Sequence, residues 1–106
     1  MDSERRHAPR YPFIADAHVI EISSDTKLVA KTSDLSIRGC FLDMLNPSPK
    51  GTDVRVTISH ERATFTALGT VVFILQNMGM GVVFTSVEPD QQAILQKWIA
   101  SLSSAE

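Results

Sequence analysis

The sequence predicts a mainly β fold, a small six-stranded antiparallel β-barrel with one C-terminal α-helix packed on it. Apolar and β-branched residues alternate with polar residues along most of the chain, as in half-buried strands. Short turn-forming segments separate these runs, so neighbouring strands should pair antiparallel. A small all-β chain avoids exposed strand edges by closing into a barrel. After Pro89 the apolar spacing changes to three and four residues, which predicts a helix that covers one barrel opening.

The first half of the chain contains three predicted strands. The first is FIADAHVIEI at 13–22, and the second is LVAKTSDLS at 28–36. The intervening SSDTK has the composition of a turn, so the two strands should form a hairpin. The third is CFLDML at 40–45, and it ends at NPSPKG, where two prolines and a glycine prevent a regular continuation.

The second half contains three further strands. TDVRVTIS at 52–59 alternates strictly, and GMGVVFTSV at 79–87 is the last strand. In ATFTALGTVVFIL at 63–75, Gly69 should mark a bend or bulge. The alternation places a set of residues in register on one face of this strand: Phe65, Ala67, Gly69, Val71, Phe73 and Leu75.

The terminal helix is predicted from its first turn and its apolar stripe. Pro89 suits the first helical turn, and Asp90 suits the positive end of the helix dipole. The stripe consists of Ile94, Leu95, Trp98, Ile99 and Leu102. Trp98 should therefore pack on the barrel.

The amino-acid composition limits which classes of protein this sequence can belong to. The 106 residues suit one domain, and 43% hydrophobic with 21% charged residues is ordinary for a globular protein. The net charge of −2 argues against a surface that binds a nucleic-acid polymer. The single cysteine, Cys40, favours a reducing compartment. No segment has the apolar length of a signal peptide or a membrane span, so we expect a cytoplasmic protein without membrane association.

Catalytic, metal and cofactor sites are not expected. The sequence has no serine, histidine and aspartate arrangement, no phosphate-loop motif and no convincing pair of catalytic carboxylates. The three histidines are scattered, without a cysteine or carboxylate at metal-ligand spacing. We therefore expect a protein that is not an enzyme, and we expect Cys40 to be a small packed residue.

The chain opens with a concentration of arginines, RRHAPR at 5–10. Pro9 and Pro12 disfavour a helix here, so the segment should be extended or turned, and positions four apart then point to the same side. Arg6 and Arg10 could therefore reach one ligand. A guanidinium fork binds phosphate or a guanine edge through two hydrogen bonds, and its flat face stacks on a base. A solvated basic tail is the alternative.

A second polar cluster is DLSIRG at 34–39. Asp34 and Ser36 should point the same way from the end of a strand, and Gly39 permits a turn or a close backbone approach. A carboxylate can accept hydrogen bonds from guanine, and a hydroxyl can bond a phosphate or a base edge. The alternative is an Asx or serine turn that closes a β connection. Arg38 could reach a ligand from here, but an exposed turn residue is the preferred interpretation.

The two motifs and the strand pattern together resemble the PilZ domain family. The chain carries R-x-x-x-R at 6–10, a β-hairpin, D-x-S-x-x-G at 34–39, alternating strands that end in GMGVVF, and a terminal helix. The resemblance spans the chain from Arg6 to about Leu102. PilZ domains are small β-barrels that bind the bacterial second messenger cyclic di-GMP. The resemblance therefore implies this fold, this ligand and a bacterial cytoplasmic protein.

The resemblance also implies roles for single residues. Arg6 and Arg10 correspond to the arginines that hold the guanines and phosphates of the ligand. Asp34 and Ser36 correspond to positions that hydrogen-bond the guanine edge and nearby ligand atoms, and Gly39 shapes the loop.

Arg5 bears on the number of ligands. In this family an arginine just before the first motif arginine favours a stacked pair of ligands over a single one. A third guanidinium can stack on a further guanine and offset the added phosphate charge. We therefore expect two cyclic di-GMP molecules per chain.

The predicted organisation is a flexible arm over 1–12, which carries the arginine motif, and a barrel with its helix over 13–102. We expect a regulatory module in which the arm closes over the ligand and which acts on a downstream effector protein. The alternative is a PilZ-like protein-interaction module that binds no ligand.

Overall fold

Seven strands and one helix form the regular structure of residues 8–104, the part of the chain that the computed structural model describes. The strands are β1 (Tyr11–Pro12), β2 (Asp16–Glu21), β3 (Lys27–Leu35), β4 (Gly39–Asp43), β5 (Asp53–His60), β6 (Ala63–Leu75) and β7 (Gly79–Ser86), and the helix is α1 (Pro89–Ser104). The predicted mainly β class with a terminal helix is confirmed.

The strands form one antiparallel sheet that closes on itself. Six of them follow one another in the order β3, β2, β5, β6, β7 and β4, and pairing of β4 with β3 closes the barrel. The extra strand β1 pairs with β3, with Tyr11 opposite Leu35 and Pro12 opposite Asp34. The predicted six-stranded barrel is therefore confirmed, and β1 holds the segment around Arg10 beside the end of β3.

Alternating side chains fill the interior of the barrel. Val54, Val56 and Ile58 on β5 are buried as the sequence predicts, and they meet Ala17 and Val19 from the neighbouring β2. Burial of one aliphatic side chain of this size stabilises the folded state by about 1.5–3 kcal/mol. The period-two pattern thus explains both the pairing of the strands and the composition of the core.

The first barrel strand is shorter than predicted. It begins at Asp16 rather than Phe13, because the buried side chain of Thr32 interrupts the ladder beside it. The Thr32 hydroxyl donates to the carbonyl oxygen of Phe13 at 2.5 Å and accepts from the backbone nitrogen of Ala15 at 2.9 Å. A side chain therefore satisfies backbone groups that a regular strand pair would satisfy.

The long strand β6 shifts register twice against β7. One shift lies between Leu68 and Gly69, where the sequence predicted a bend or bulge, and the other lies between Val71 and Phe73. Beyond the second shift the alternation is lost, so Val71 is buried whereas Phe73 and Leu75 are exposed. The prediction that these last two residues share a face with Val71 is wrong, because an extra residue at a bulge turns the following side chains to the opposite face.

Helix α1 covers one end of the barrel, as expected. Leu95 and Trp98 are its buried residues. The ring centroid of Trp98 lies 5.5 Å from that of Phe13, 5.7 Å from His60 and 6.2 Å from Phe65. These aromatic contacts attach the helix to the barrel end. Within the described part of the chain, no helix has the length and apolar character needed to cross a membrane.

Candidate functional site

A cleft of about 250 Å³ lies on the outside of the barrel, where β4 and β7 run side by side. The turn between β3 and β4, the second half of β6 and the segment before β1 complete its walls. Its lining residues are Ala8, Arg10, Ser36, Arg38, Gly39, Cys40, Val72, Phe73, Gly81, Val82 and Val83. Members of both predicted motifs therefore meet at one place.

Arg10 links the two motifs directly. Its Nη2 atom donates hydrogen bonds to both carboxylate oxygens of Asp34, at 3.1 Å to Oδ1 and 3.2 Å to Oδ2. The pairing of Pro12 with Asp34 brings these side chains together across 24 positions of sequence. Half of the Arg10 side chain is exposed, so the ion pair adds little to stability and its guanidinium can still meet a ligand.

Asp34 lies where β3 shifts its register against β4. Its Oδ1 atom also accepts a hydrogen bond from the backbone nitrogen of Phe41 at 3.1 Å. A cation and the neighbouring strand therefore orient the carboxylate from two sides. An ionised carboxylate offers about four acceptor positions, so Asp34 retains capacity for a donor from a ligand.

Ser36 organises the turn between β3 and β4. Its hydroxyl oxygen accepts from the backbone nitrogens of Arg38 at 3.0 Å and Gly39 at 3.1 Å, and the hydroxyl donates to the carbonyl oxygen of Gly39 at 3.3 Å. This is the serine turn that the sequence offers as an alternative. The turn holds Ser36 buried beside the cleft, and the long 3.3 Å bond is the one that a ligand acceptor could replace.

Gly39 starts β4 in close contact with β7. A side-chain carbon at this position would overlap the backbone carbonyl oxygen of Val82. The predicted close backbone approach is therefore confirmed. Because Gly39 has no side chain, the peptide backbone itself forms this part of the cleft floor.

Two cleft residues were not predicted as site residues. Arg38 is exposed in the turn between β3 and β4, as the sequence favours, and it also lines the cleft together with Arg10. Its position inside the second motif was the signal that could have identified it. Phe73, on β6, also lines the cleft. No sequence signal indicates it, because its outward orientation depends on the bulge in β6.

Three further predictions concern the first two arginines, the single cysteine and metal binding. Arg5 and Arg6 lie outside the described residues, so their roles stay predictions. Cys40 is buried, as expected for a packed residue, and burial followed by the charge of Asp34 raises the pKa of its thiol to about 12. Among residues 8–104, no group of three or more histidine, cysteine, aspartate or glutamate side chains could hold a metal ion.

The fold is similar to solved structures of PilZ proteins. The PilZ domain of CeSA from a cellulose-synthesizing bacterium has a TM-score of 0.72 at 16% identity, covering 91% of this chain and 99% of that chain. The PilZ domain of Escherichia coli YcgR, solved with c-di-GMP, has a TM-score of 0.76 at 16% identity, covering 95% and 93%.

A third similar structure is the Bacillus subtilis inhibitor of motility, MotI/DgrA. Its TM-score is 0.79 at 14% identity, and the match covers 96% of this chain but 52% of that chain. The chain therefore spans about half the length of that protein. At these low identities, the TM-scores show a shared fold and nothing further.

The family is settled by sequence. None of the curated proteins is a significant match to the chain. The family model described as PilZ domain matches residues 4–101, which include both motifs, all barrel strands and most of α1. The chain belongs to the PilZ domain family.

Proposed function

We propose that this chain is a receptor module that binds cyclic di-GMP and regulates a downstream effector protein. The observation that carries the proposal is the contact of Arg10, which lines the cleft, with Asp34 of the second motif. Two short motifs that are individually common in proteins are adjacent here. PilZ domains are ligand-binding regulatory modules, and one structure similar to this chain contains c-di-GMP.

The polarity of the cleft suits this ligand. Cyclic di-GMP combines two phosphates with two guanines, so a binding site needs forked cations for the phosphates and acceptors for the guanine donors. Arg10 and Arg38 supply guanidinium groups, and Asp34 supplies acceptor oxygens. Ser36 holds the turn from which Arg38 projects.

Ligand binding has to compete with the contact between Arg10 and Asp34. The exposed ion pair contributes about 0.2–1 kcal/mol, whereas a charge-assisted hydrogen bond to a phosphate contributes about 1.5–3 kcal/mol. A phosphate can therefore draw Arg10 toward the ligand while Asp34 turns its acceptors to a guanine. The exchange leaves no charged group without a partner.

The N-terminal arm is proposed to close over the ligand. Fixing a residue costs about 1–2 kcal/mol of backbone entropy, so several arginine contacts are needed to order the arm. The pairing of Tyr11 and Pro12 with β3 lowers this cost, because it anchors the arm beside the cleft. Arg5 and Arg6 would add two cations to those in the cleft, which favours a stacked pair of ligands. A cytoplasmic location in a bacterium completes the proposal.

Isothermal titration with cyclic di-GMP tests the proposal. We expect saturable binding near two ligands per chain, with affinity lowered at least about 30-fold in Arg6→Ala and Arg10→Ala, since each loses a charge-assisted contact. Arg55→Ala is the matched control, because Arg55 is exposed on β5, on the far side of the barrel from β4. It should bind like the wild type.

The other outcomes discriminate between the parts of the proposal. A ratio near one ligand per chain would retain the receptor and exclude the stacked pair. Absence of binding, verified by an NMR titration, would overturn the receptor function and favour the ligand-free interaction module. If Arg10→Ala and Arg55→Ala lowered the affinity equally, the binding would be a general attraction between basic side chains and an anion rather than a specific site.

A further inference from the structure

Strand β6 extends beyond its neighbour β5 at one end. The ladder between the two strands ends where Asp53 pairs with Thr70, and two backbone hydrogen bonds with the loop before β5 continue the contact to Val71. β6 runs on to Leu75. Within the described part of the chain, no strand pairs with residues 72–75 on that side. These residues therefore form a free strand edge.

Helix α1 covers the edge at the other end of the same strand. Residues 63–67 of β6 run past the end of β7, so they also lack a neighbouring strand on one side. There the side-chain oxygen of Gln91 accepts a hydrogen bond from the backbone nitrogen of Thr66 at 2.7 Å. A helix side chain thus takes the place of the missing strand.

A third unpaired edge, on β3, carries lysines. Residues 27–30 lie beyond the end of β4, and this segment begins with Lys27 and is followed by Lys31. Lysine at an edge discourages pairing between copies of a chain. A bulge precedes the free edge of β6, but the sequence at 71–84 contains no charged residue and no proline. The free edge therefore lacks both a covering helix and a protecting charge.

The side chains and the backbone of the free edge are both available for a contact. Val72, Phe73, Ile74 and Leu75 each keep 38–45% of their surface exposed. The carbonyl oxygen of Leu75 accepts a hydrogen bond from the nitrogen of Met78 at 2.9 Å, in the turn to β7. Successive residues of a strand direct their backbone groups to opposite edges, so the nitrogen and carbonyl oxygen of Ile74 point to the free edge.

We propose that this edge is the contact between two copies of the chain, which pair antiparallel about a two-fold axis at Ile74. The axis places Ile74 opposite Ile74 of the second copy, and Phe73 opposite Leu75. Apolar side chains then meet apolar side chains, and the backbone groups of each edge bond those of the other. Homodimer contacts are more apolar than contacts between transient partners, so the uncharged composition favours a second copy over a different, charged protein.

The protein concentration sets how much dimer forms. Pairing along four residues covers less surface than the roughly 1,200 Å² of a stable complex, so we expect weak association. The contact does not involve cyclic di-GMP, and it is measured by sedimentation on the free protein. The mean mass should rise from the chain mass of 11.7 kDa toward twice that value as the concentration approaches about 1 mM. A mass that stays at one chain would overturn the proposal.

A charge at the axis tests the arrangement. Ile74→Lys places two cations directly opposite each other, so the dissociation constant of the dimer should rise about tenfold or more. Val29→Lys is the matched control, because Val29 is an exposed β-branched residue on β3, which does not neighbour β6. It should dimerise like the wild type. Equal weakening in both variants, or none in Ile74→Lys, would overturn the assignment to this edge.

Two further measurements do not depend on the loss of an interaction. Mixing Ile74→Lys with Ile74→Glu places opposite charges across the axis and should restore a dimer that neither variant forms alone. In wild-type protein mixed from isotope-labelled and unlabelled chains, NMR should show contacts between Ile74 of the two copies. A dimer that showed contacts elsewhere and none at Ile74, or a charge mixture that stayed monomeric, would overturn the two-fold pairing.

Discussion

The barrel end beneath α1 and the cleft beside β4 use aromatic residues in opposite ways. At the helix-covered end, Trp98 meets Phe13, His60 and Phe65, with ring centroids 5.5–6.2 Å apart. These rings contact one another and are largely or fully buried, apart from the part-exposed His60. At the cleft, Phe73 lies over a glycine and is exposed.

The difference separates stability from binding. Packed aromatic rings remove apolar surface from water, so they stabilise the fold. The cleft is lined by glycines, an exposed ring and cations. Such a surface stabilises the fold much less, and it offers a ligand both apolar and charged contacts. Substitutions at the covered end should change the free energy of unfolding, and substitutions at the cleft should change ligand affinity.

The largest expected effect is that of Phe65→Ala. Phe65 is fully buried and makes an edge contact with Phe84 at 5.2 Å in addition to its contact with Trp98. Removal of a buried ring leaves a cavity and should lower the free energy of unfolding by about 3–5 kcal/mol, measured by urea denaturation. Phe73→Ala, with a part-exposed ring, should lower it by about 1.5 kcal/mol or less. Similar losses in the two variants would contradict the division between the two regions.

An intermediate loss of stability is expected at Gly39, which lines the cleft and also packs against the backbone of β7. Gly39→Ala would push the new methyl group against the carbonyl oxygen of Val82, so β4 and β7 must separate. We expect a loss of about 1–3 kcal/mol of stability together with weaker ligand binding. Both would be measured on the same purified variant, by denaturation and by titration.

Gly51→Ala is the matched control for this variant. Gly51 has a φ of 92° in the loop before β5, and no atom lies within 4 Å of the added carbon. Only backbone strain remains, which should cost about 1 kcal/mol and leave binding unchanged. If Gly51→Ala weakened binding as much as Gly39→Ala, a general loss of stability would explain both results.

The smallest expected effect concerns Glu21, which lines neither the cleft nor the aromatic cluster under α1. Ser48 and Ser24 donate hydrogen bonds to its carboxylate at 2.5 Å and 2.8 Å, and these bonds lower its pKa. The folded state then binds fewer protons than the unfolded state. The resulting stabilisation is complete above the ordinary pKa of a glutamate and is lost as the pH falls through the lowered value. Because the carboxylate is partly exposed, we expect only about 0.5 kcal/mol.

Glu21→Gln measures this contribution. The difference in unfolding free energy between the wild type and this variant should be present at neutral pH and vanish under acid conditions. Ser48→Ala should reduce the same pH dependence, since it removes the first cause of the lowered pKa. A difference that persists unchanged into acid would show that the carboxylate contributes by packing rather than by ionisation.

Much of the fold could be predicted because it depends on local pattern. Strict alternation at 52–59 predicted the buried residues of β5, and the spacing after Pro89 predicted α1. Turn composition predicted the antiparallel hairpins. The start of β2 could not be predicted, since it depends on the Thr32 hydroxyl bonding the backbone at Phe13 and Ala15.

Only part of the candidate site could be predicted. The motif residues Arg10, Asp34, Ser36 and Gly39 do come together, because β1 pairs with β3. The sequence predicted that Phe73 lies on the same face of the strand as Phe65. One extra residue in β6 reverses that orientation, and a bulge depends on pairing with another strand rather than on the strand's own sequence.

The sequence by itself determined the mainly β class, the terminal helix, the buried set of β5 and the two polar motifs, because strand and helix periodicities and turn residues act over a few positions. The tertiary structure decided which residues face one another across the barrel. It joined Arg10 to Asp34, placed Arg38 in the cleft and turned Phe73 outward over Gly81. These contacts depend on register and bulges between distant strands, where a shift of one residue moves a side chain to the other face of the sheet.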